Sequence, residues 1–155
     1  ADQRPEWDIV IIGDGPLKPV VIEKLPQRVR HRVYLTGFIG DQSLISAIYR
    51  GSHVFVLPST YEPWGLVVNE AAAAGMALVC SNVVGSSGDL ICEGVDGRTF
   101  SPRSLAALAD AMVDASAPES LESMRAAPGR ILDHWRQTAD PVEGFRTALA
   151  RAGLL

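Results

Sequence analysis

The chain has 155 residues, 47% of them hydrophobic and 21% charged, with a formal net charge of −4. That is enough for one domain with a real core, and the acidic balance argues against a nucleic-acid surface. No apolar run reaches the ~20 residues of a membrane span, the opening residues do not read as a signal peptide, and Cys80 and Cys92 lack metal-ligand spacing, so two free thiols in a reducing, cytoplasmic compartment are expected.

Trp7 to Ile12 reads as a first strand. It is apolar almost throughout, as in a parallel sheet covered on both faces. Gly13-Asp14-Gly15-Pro16 turns out of it. A G-x-G after a strand fits a phosphate cradle, but it equally fits a turn that needs glycine conformations. The third glycine of a dinucleotide fingerprint is absent, since Val20, Val21 and Ile22 follow. Leu17 to Leu25 reads as a short helix, and Gln27 to His31 as a polar connection. Arg28, Arg30 and Arg32 suit a phosphate or, more simply, a solvated face. Val33 to Leu35 is the second strand. Its loop, Thr36-Gly37-Phe38-Ile39-Gly40, stands at the carboxyl end, where open α/β sheets bind ligands.

Asp41 reads as an N-cap, with Leu44, Ile45, Ile48 and Tyr49 at helical spacing behind it. His53 to Leu57 is a third strand and Ala77 to Cys80 a fourth. Arg98-Thr99-Phe100 is a short last strand. Ser101-Pro102 is expected to open a helix with Pro at its first position and an apolar stripe of Leu105, Leu108, Ala109 and Met112. A helix over Leu121 to Trp135 follows, interrupted at Pro128-Gly129. Asp140-Pro141 opens the last helix, with Val142, Phe145, Leu149 and Leu154. Alternating strands and helices predict an α/β, Rossmann-like parallel sheet with helices on both faces.

The stretch from Pro58 to Gly75 carries the chemistry. Pro58 and Ser59 stop a strand. Pro63 keeps Glu62 out of helical geometry. A helix then begins near Gly65 and runs through the alanines to Gly75. On one helix Glu62 and Glu70 would stand roughly 80° apart. With Glu62 in the turn, the two acids instead flank the unpaired N–H groups of Gly65, Leu66 and Val67. Such a helix start binds anions, and diphosphate is the obvious guest. Acceptors on both sides suit a ligand with hydroxyls at both ends, as in a nucleotide sugar.

Glu62-Pro63-Trp64-Gly65-Leu66-Val67-Val68-Asn69-Glu70 resembles the E-x7-E signature of the retaining group 1 (family 4) glycosyltransferases, which have the two-domain GT-B fold. Val10 to Leu17, Val33 to Phe38, Leu78 to Ser81 and Gly94 to Gly97 resemble further landmarks of that family's C-terminal domain, in the same order. The resemblance implies a donor-binding domain covering residues 1–155, with a nucleotide-sugar donor and no metal or other cofactor. It implies that Glu70 accepts from the ribose and Glu62 from the donor sugar. The N–H groups of Gly65, Leu66 and Val67 would hold the diphosphate, Gly15 would stand at the mouth of the cleft, and Phe38 and Ile39 would lie beside the base. Phe38 serves equally as a core plug.

The chain departs from the family at Val84 to Asp89, where G-G-x-x-E is usual, and it lacks the G-R-x-x-x-x-K-like stretch that grips the diphosphate. It starts Ala-Asp-Gln without Met and goes almost directly into a core strand, so an excised C-terminal half is expected, its partner an N-terminal acceptor domain. Alone it is expected to have no transferase activity. Two alternatives stand beside this reading. One is the half of another GT-B enzyme, a nucleotide-sugar epimerase or a phosphorylase. The other is a non-catalytic interaction module.

Overall fold

The computed structural model describes residues 4–154, which leaves Ala1-Asp2-Gln3 and Leu155 outside the described residues. The chain divides into two compact units, residues 1–48 and 49–155.

In the first unit β1 (Ile9–Ile12) and β2 (Val33–Gly37) form a parallel pair, with Ile9 opposite Val33 and Ile11 opposite Leu35. Between them run α1 (Lys18–Lys24) and a 3-10 turn over Gln27–Arg32. The Gly13 N–H donates to the Gly37 carbonyl at 2.9 Å and ties the glycine turn to the end of β2. The expected double coverage of the first strand is not found: Ile9, Val10 and Ile11 are all exposed. Within this unit one short helix and one turn stand beside two strands, too little to cover both faces. Arg28 and Arg30 are exposed, as a solvated face implies, and Arg32 is half-buried. Arg30 donates to the Leu25 and Ile22 carbonyls at the end of α1, and Arg32 to those of Arg4 and Trp7. Arg30 thereby braces carbonyls of the kind that a helix C-terminus leaves without partners.

The helix α2 (Gln42–Gly51) is capped as expected: Asp41 Oδ1 accepts from the N–H of Ser43 at 2.8 Å and of Leu44 at 3.4 Å. Leu44 is exposed, while Ile45, Ile48 and Tyr49 are half-buried.

The second unit holds a three-stranded parallel sheet of β3 (Val54–Leu57), β4 (Ala77–Ser81) and β5 (Gly97–Phe100), with β4 in the centre. All five residues of β4 are buried. Its alternation divides the core. Leu78 and Cys80 pack with Val68, Ala71 and Ala72 of α3 (Leu66–Ala73), Leu90 of α4 (Ser87–Leu90) and Leu132 of α7 (Pro128–Thr138). Ala77 and Val79 pack with Phe100, with Ala111 and Ala115 of α5 (Leu105–Ala115), and with Met124 of α6 (Pro118–Ala126). Two alanines on α3 let that helix approach the sheet closely. The expected α/β class is the one found: parallel strands with flanking helices, Rossmann-like. Two of the strands lie in the first unit and three in the second.

The start of α5 differs from expectation. Residues 101–104 are not helical, and α5 starts instead at Leu105. The Ser104 hydroxyl accepts from the Ala107 N–H at 3.1 Å, which makes Ser104 the cap. The inward stripe of α5 is therefore Ala107, Leu108, Ala111, Met112 and Ala115, leaving Leu105 and Ala109 outside. The interruption expected at Pro128-Gly129 is found, and it separates two helices, α6 and α7, each with Pro in its first turn. The last helix, α8 (Pro141–Arg151), opens as expected, with Asp140 Oδ1 accepting from the Val142 N–H at 2.8 Å. Its Val142 and Phe145, and Leu154 beyond it, are exposed. No helix of the described residues is long and apolar enough to cross a membrane.

Candidate functional site

The second unit brings Glu62, Gly65, Leu66, Val67 and Glu70 onto one strand–turn–helix segment between β3 and the second turn of α3. Glu62 pairs its backbone with Val84 in a parallel bridge, which anchors the turn to the loop after β4. The Gly85 N–H donates to the Glu62 carbonyl and the Ser86 N–H to the Trp64 carbonyl, both at 3.0 Å. Gly85 is required for this approach, since a Cβ there would overlap the Pro63 carbonyl oxygen.

Gly65 is the residue before α3 and holds the left-handed conformation, φ 85° and ψ 65°. A Cβ at Gly65 would come within 3.0 Å of Val84 Cγ1 and 3.2 Å of Glu62 Cγ, so the site is closed to side chains on that flank. No side chain caps the start of α3. The loop hydrogen bonds of the described residues engage none of the Gly65, Leu66 and Val67 N–H groups. These amides stand at the positive end of the helix, a position that in general favours negative charge. Glu62 is half-buried and Glu70 exposed. Burial, and then the Glu70 charge, hold the Tyr49 phenol above its ordinary range, so Glu70 stands near the end of α2.

Gly15, Phe38 and Ile39 belong to the first unit. Gly15 lies in the turn after β1, where its N–H donates to Asp14 Oδ1 at 2.8 Å. Lys18 meets Asp14 Oδ2 at 2.9 Å, and the two contacts hold the Asp14 carboxyl below its usual range, Lys18 foremost. This turn rims a hollow of about 370 Å³ floored by Ile11, Ile12, Val21 and Leu35. Phe38 is 82% exposed, which removes its reading as a core plug. Ile39 is half-buried.

Three features escaped the sequence reading. The Trp64 ring lies against Trp135 of α7, centroids 5.3 Å apart, and its Nε1–H donates to Asn69 Oδ1 at 3.0 Å. Ser86 is fully buried with its hydroxyl oxygen lacking a hydrogen-bond partner. Asp96 is buried in the turn before β5. Its Oδ1 accepts from the Cys92 N–H at 2.7 Å, and its Oδ2 has no partner. Burial raises its pKa to about 6, and the nearby Glu93 charge adds to the rise. Among the described residues no group of His, Cys, Asp or Glu is placed to hold a metal ion.

Parallel strands joined by helices define a Rossmann-like domain, and an uncapped helix start lies between two of its acids. The chain belongs to the family described as Glycosyl transferases group 1, whose profile matches residues 1–117. It is similar to the glycogen synthase of Mycobacterium tuberculosis, 39% identical over 112 residues, which is 70% of this chain and 26% of that protein. The chain thus spans about a quarter of that relative's length. Among solved structures it resembles the sucrose-phosphate synthase of Thermosynechococcus elongatus. There the TM-score is 0.75 and the identity 25%, over 97% of this chain and 40% of that one. It also resembles the C-terminal domain of a group 1 glycosyl transferase, LpcC, from Francisella tularensis. There the TM-score is 0.69 and the identity 26%, over 84% and 70% of the two chains.

Proposed function

We propose that the chain is the donor-binding domain of a longer, retaining glycosyltransferase of the cytoplasm. It would move a sugar from a nucleoside diphosphate sugar to an acceptor hydroxyl held by a preceding domain. The observation that carries this reading is the start of α3. Three backbone N–H groups there take part in no loop hydrogen bond of the described residues, between a half-buried acid in the turn and an exposed acid on the second helical turn.

Each part has a role. The Gly65, Leu66 and Val67 amides meet the diphosphate, and stabilise the charge that grows on it as the sugar leaves. Glu70 accepts from the ribose hydroxyls. Glu62 accepts from hydroxyls of the donor sugar and is positioned by the Gly85 bond to its carbonyl. Gly15, Phe38 and Ile39 contribute the base and cleft-mouth contacts. The helix start meets the charge, and no metal is called on. Domain closure supplies water exclusion and the acceptor, so this chain alone binds nucleotide weakly and transfers nothing.

The test is to incubate the full-length protein with nucleotide sugars and candidate acceptors, and to read the anomeric configuration of the product by NMR. Transfer with the donor's configuration kept is the expected result. An inverted product, turnover of the nucleotide sugar to an epimer without acceptor, or transfer by the 155-residue chain alone would overturn the reading.

A further inference from the structure

We propose that Trp135, far from the Glu62–Glu70 segment in sequence, is a positioning residue for the donor site. It would hold the turn from Glu62 to Gly65, through the Trp64 ring, in the shape that leaves the helix-start amides open. The inference rests on the donor-site reading above and goes beyond it.

Trp64 stands between the two elements that matter, two residues after Glu62 and directly before Gly65. Its backbone carbonyl is taken by the Ser86 N–H, and its indole N–H by Asn69 Oδ1, one residue before Glu70. Those two bonds hold the edge and root of the residue. The ring face is held by Trp135 alone of the described aromatic rings, tilted 35° to it. Trp135 is half-buried against the cluster that contains Leu132, Leu90 and Val68. Its helix, α7, packs on both α3 and α4. The α7 helix therefore braces the helix that opens the anion site and the loop that hydrogen-bonds the turn. Without the Trp135 ring, the Trp64 side chain keeps only its edge bond to Asn69 and can swing about it. The Gly65 N–H and the Glu62 carboxylate then lose a fixed relation. Trp135 has no place among the proposed ligand contacts, so its effect is carried through Trp64.

The experiment uses the full-length protein with Trp135→Met, which keeps an apolar filler, and Trp135→Phe, which keeps a ring. Each is titrated calorimetrically with UDP, GDP and ADP, melted thermally, and examined by near-ultraviolet circular dichroism for the coupled signal of the indole pair. Trp135→Met is expected to melt cooperatively, lose the coupled signal and weaken the bound nucleotide about tenfold. Trp135→Phe is expected to stay within about threefold of the parent. Parental affinity in Trp135→Met overturns the inference and leaves the donor-site reading standing. Equal weakening in both variants also overturns it, because the aromatic face would then not be what the site reads. Should Trp135→Met fail to fold, Asn69→Ala loosens the same ring from its other side, and unchanged affinity there overturns the inference. Failure of the parent itself to bind any of the three nucleotides defeats the donor-site reading, and this inference with it.

Discussion

Replacing Asp96 by Asn should change how stability depends on pH. Asp96 is fully buried, accepts one backbone N–H, and leaves its second oxygen without a partner. Burial raises its pKa from an ordinary 3.8 to about 6. A carboxyl with a raised pKa binds its proton more tightly in the folded chain than in the unfolded one. Its contribution to stability is therefore complete below pH 3.8, is lost as pH rises, and is gone above pH 6. The gap between the two values is worth about 3 kcal/mol. Asn carries no charge to desolvate. It keeps the oxygen that serves Cys92, and its amide nitrogen lacks a partner at every pH, an offset of about 1–3 kcal/mol that does not vary. The variant should thus gain on the parent by about 3 kcal/mol between pH 3 and pH 7.5, whatever the offset. Urea unfolding of both proteins across that range reads the difference directly, and other carboxylates cancel from it. A difference that changes by less than about 1 kcal/mol would refute the argument that burial dominates at Asp96.

Gly65→Ala places a side chain at φ 85° and within 3.0 Å of Val84 Cγ1. Backbone strain and overpacking together should cost about 2–4 kcal/mol in denaturant unfolding, and a loss below about 1 kcal/mol would contradict the geometry. Gly85→Ala forces the loop off the Pro63 carbonyl and breaks the bonds to Glu62 and Trp64. It should destabilise by more than about 2 kcal/mol, and an unaffected unfolding midpoint would count against the docking of that loop. Burial raises the Cys80 thiol to about 12, while Cys92 is exposed. One equivalent of a thiol reagent should react quickly with the folded chain and a second only after denaturation; two fast equivalents would contradict the burial of β4.

What the sequence could show follows how local each cause is. Asp41 and Asp140 act on amides two and three residues ahead, so both caps are visible in a short window. The turn and start of α3 are equally local, because Pro63, Gly65 and the spacing of the two acids specify them together. Ser104 escaped notice because Ser101-Pro102 offers a competing start three residues earlier, and only the tertiary face of α5 decides between them. β1 shows a different limit: an all-apolar run marks a strand able to be buried on both faces, but what covers it is settled elsewhere in space. The same holds for the site. Trp64 lies in plain view within the motif, yet its partner Trp135 comes from a distant helix, and the Gly85-Ser86 grip on the turn arises only when β4 takes its place. A buried acid in a Gly-rich turn, Asp96, reads from the sequence as a surface residue.

The central claim is that the start of α3 and its two acids form a nucleotide-sugar donor site. It is tested most directly by calorimetric titration of the full-length protein with UDP, GDP and ADP, repeated on Glu70→Ala. One nucleotide should bind, and the variant should bind it about 10–100-fold more weakly, as expected when charged hydrogen bonds to the ribose are lost. Binding of no nucleotide by the parent, or equal affinity in Glu70→Ala, would contradict it.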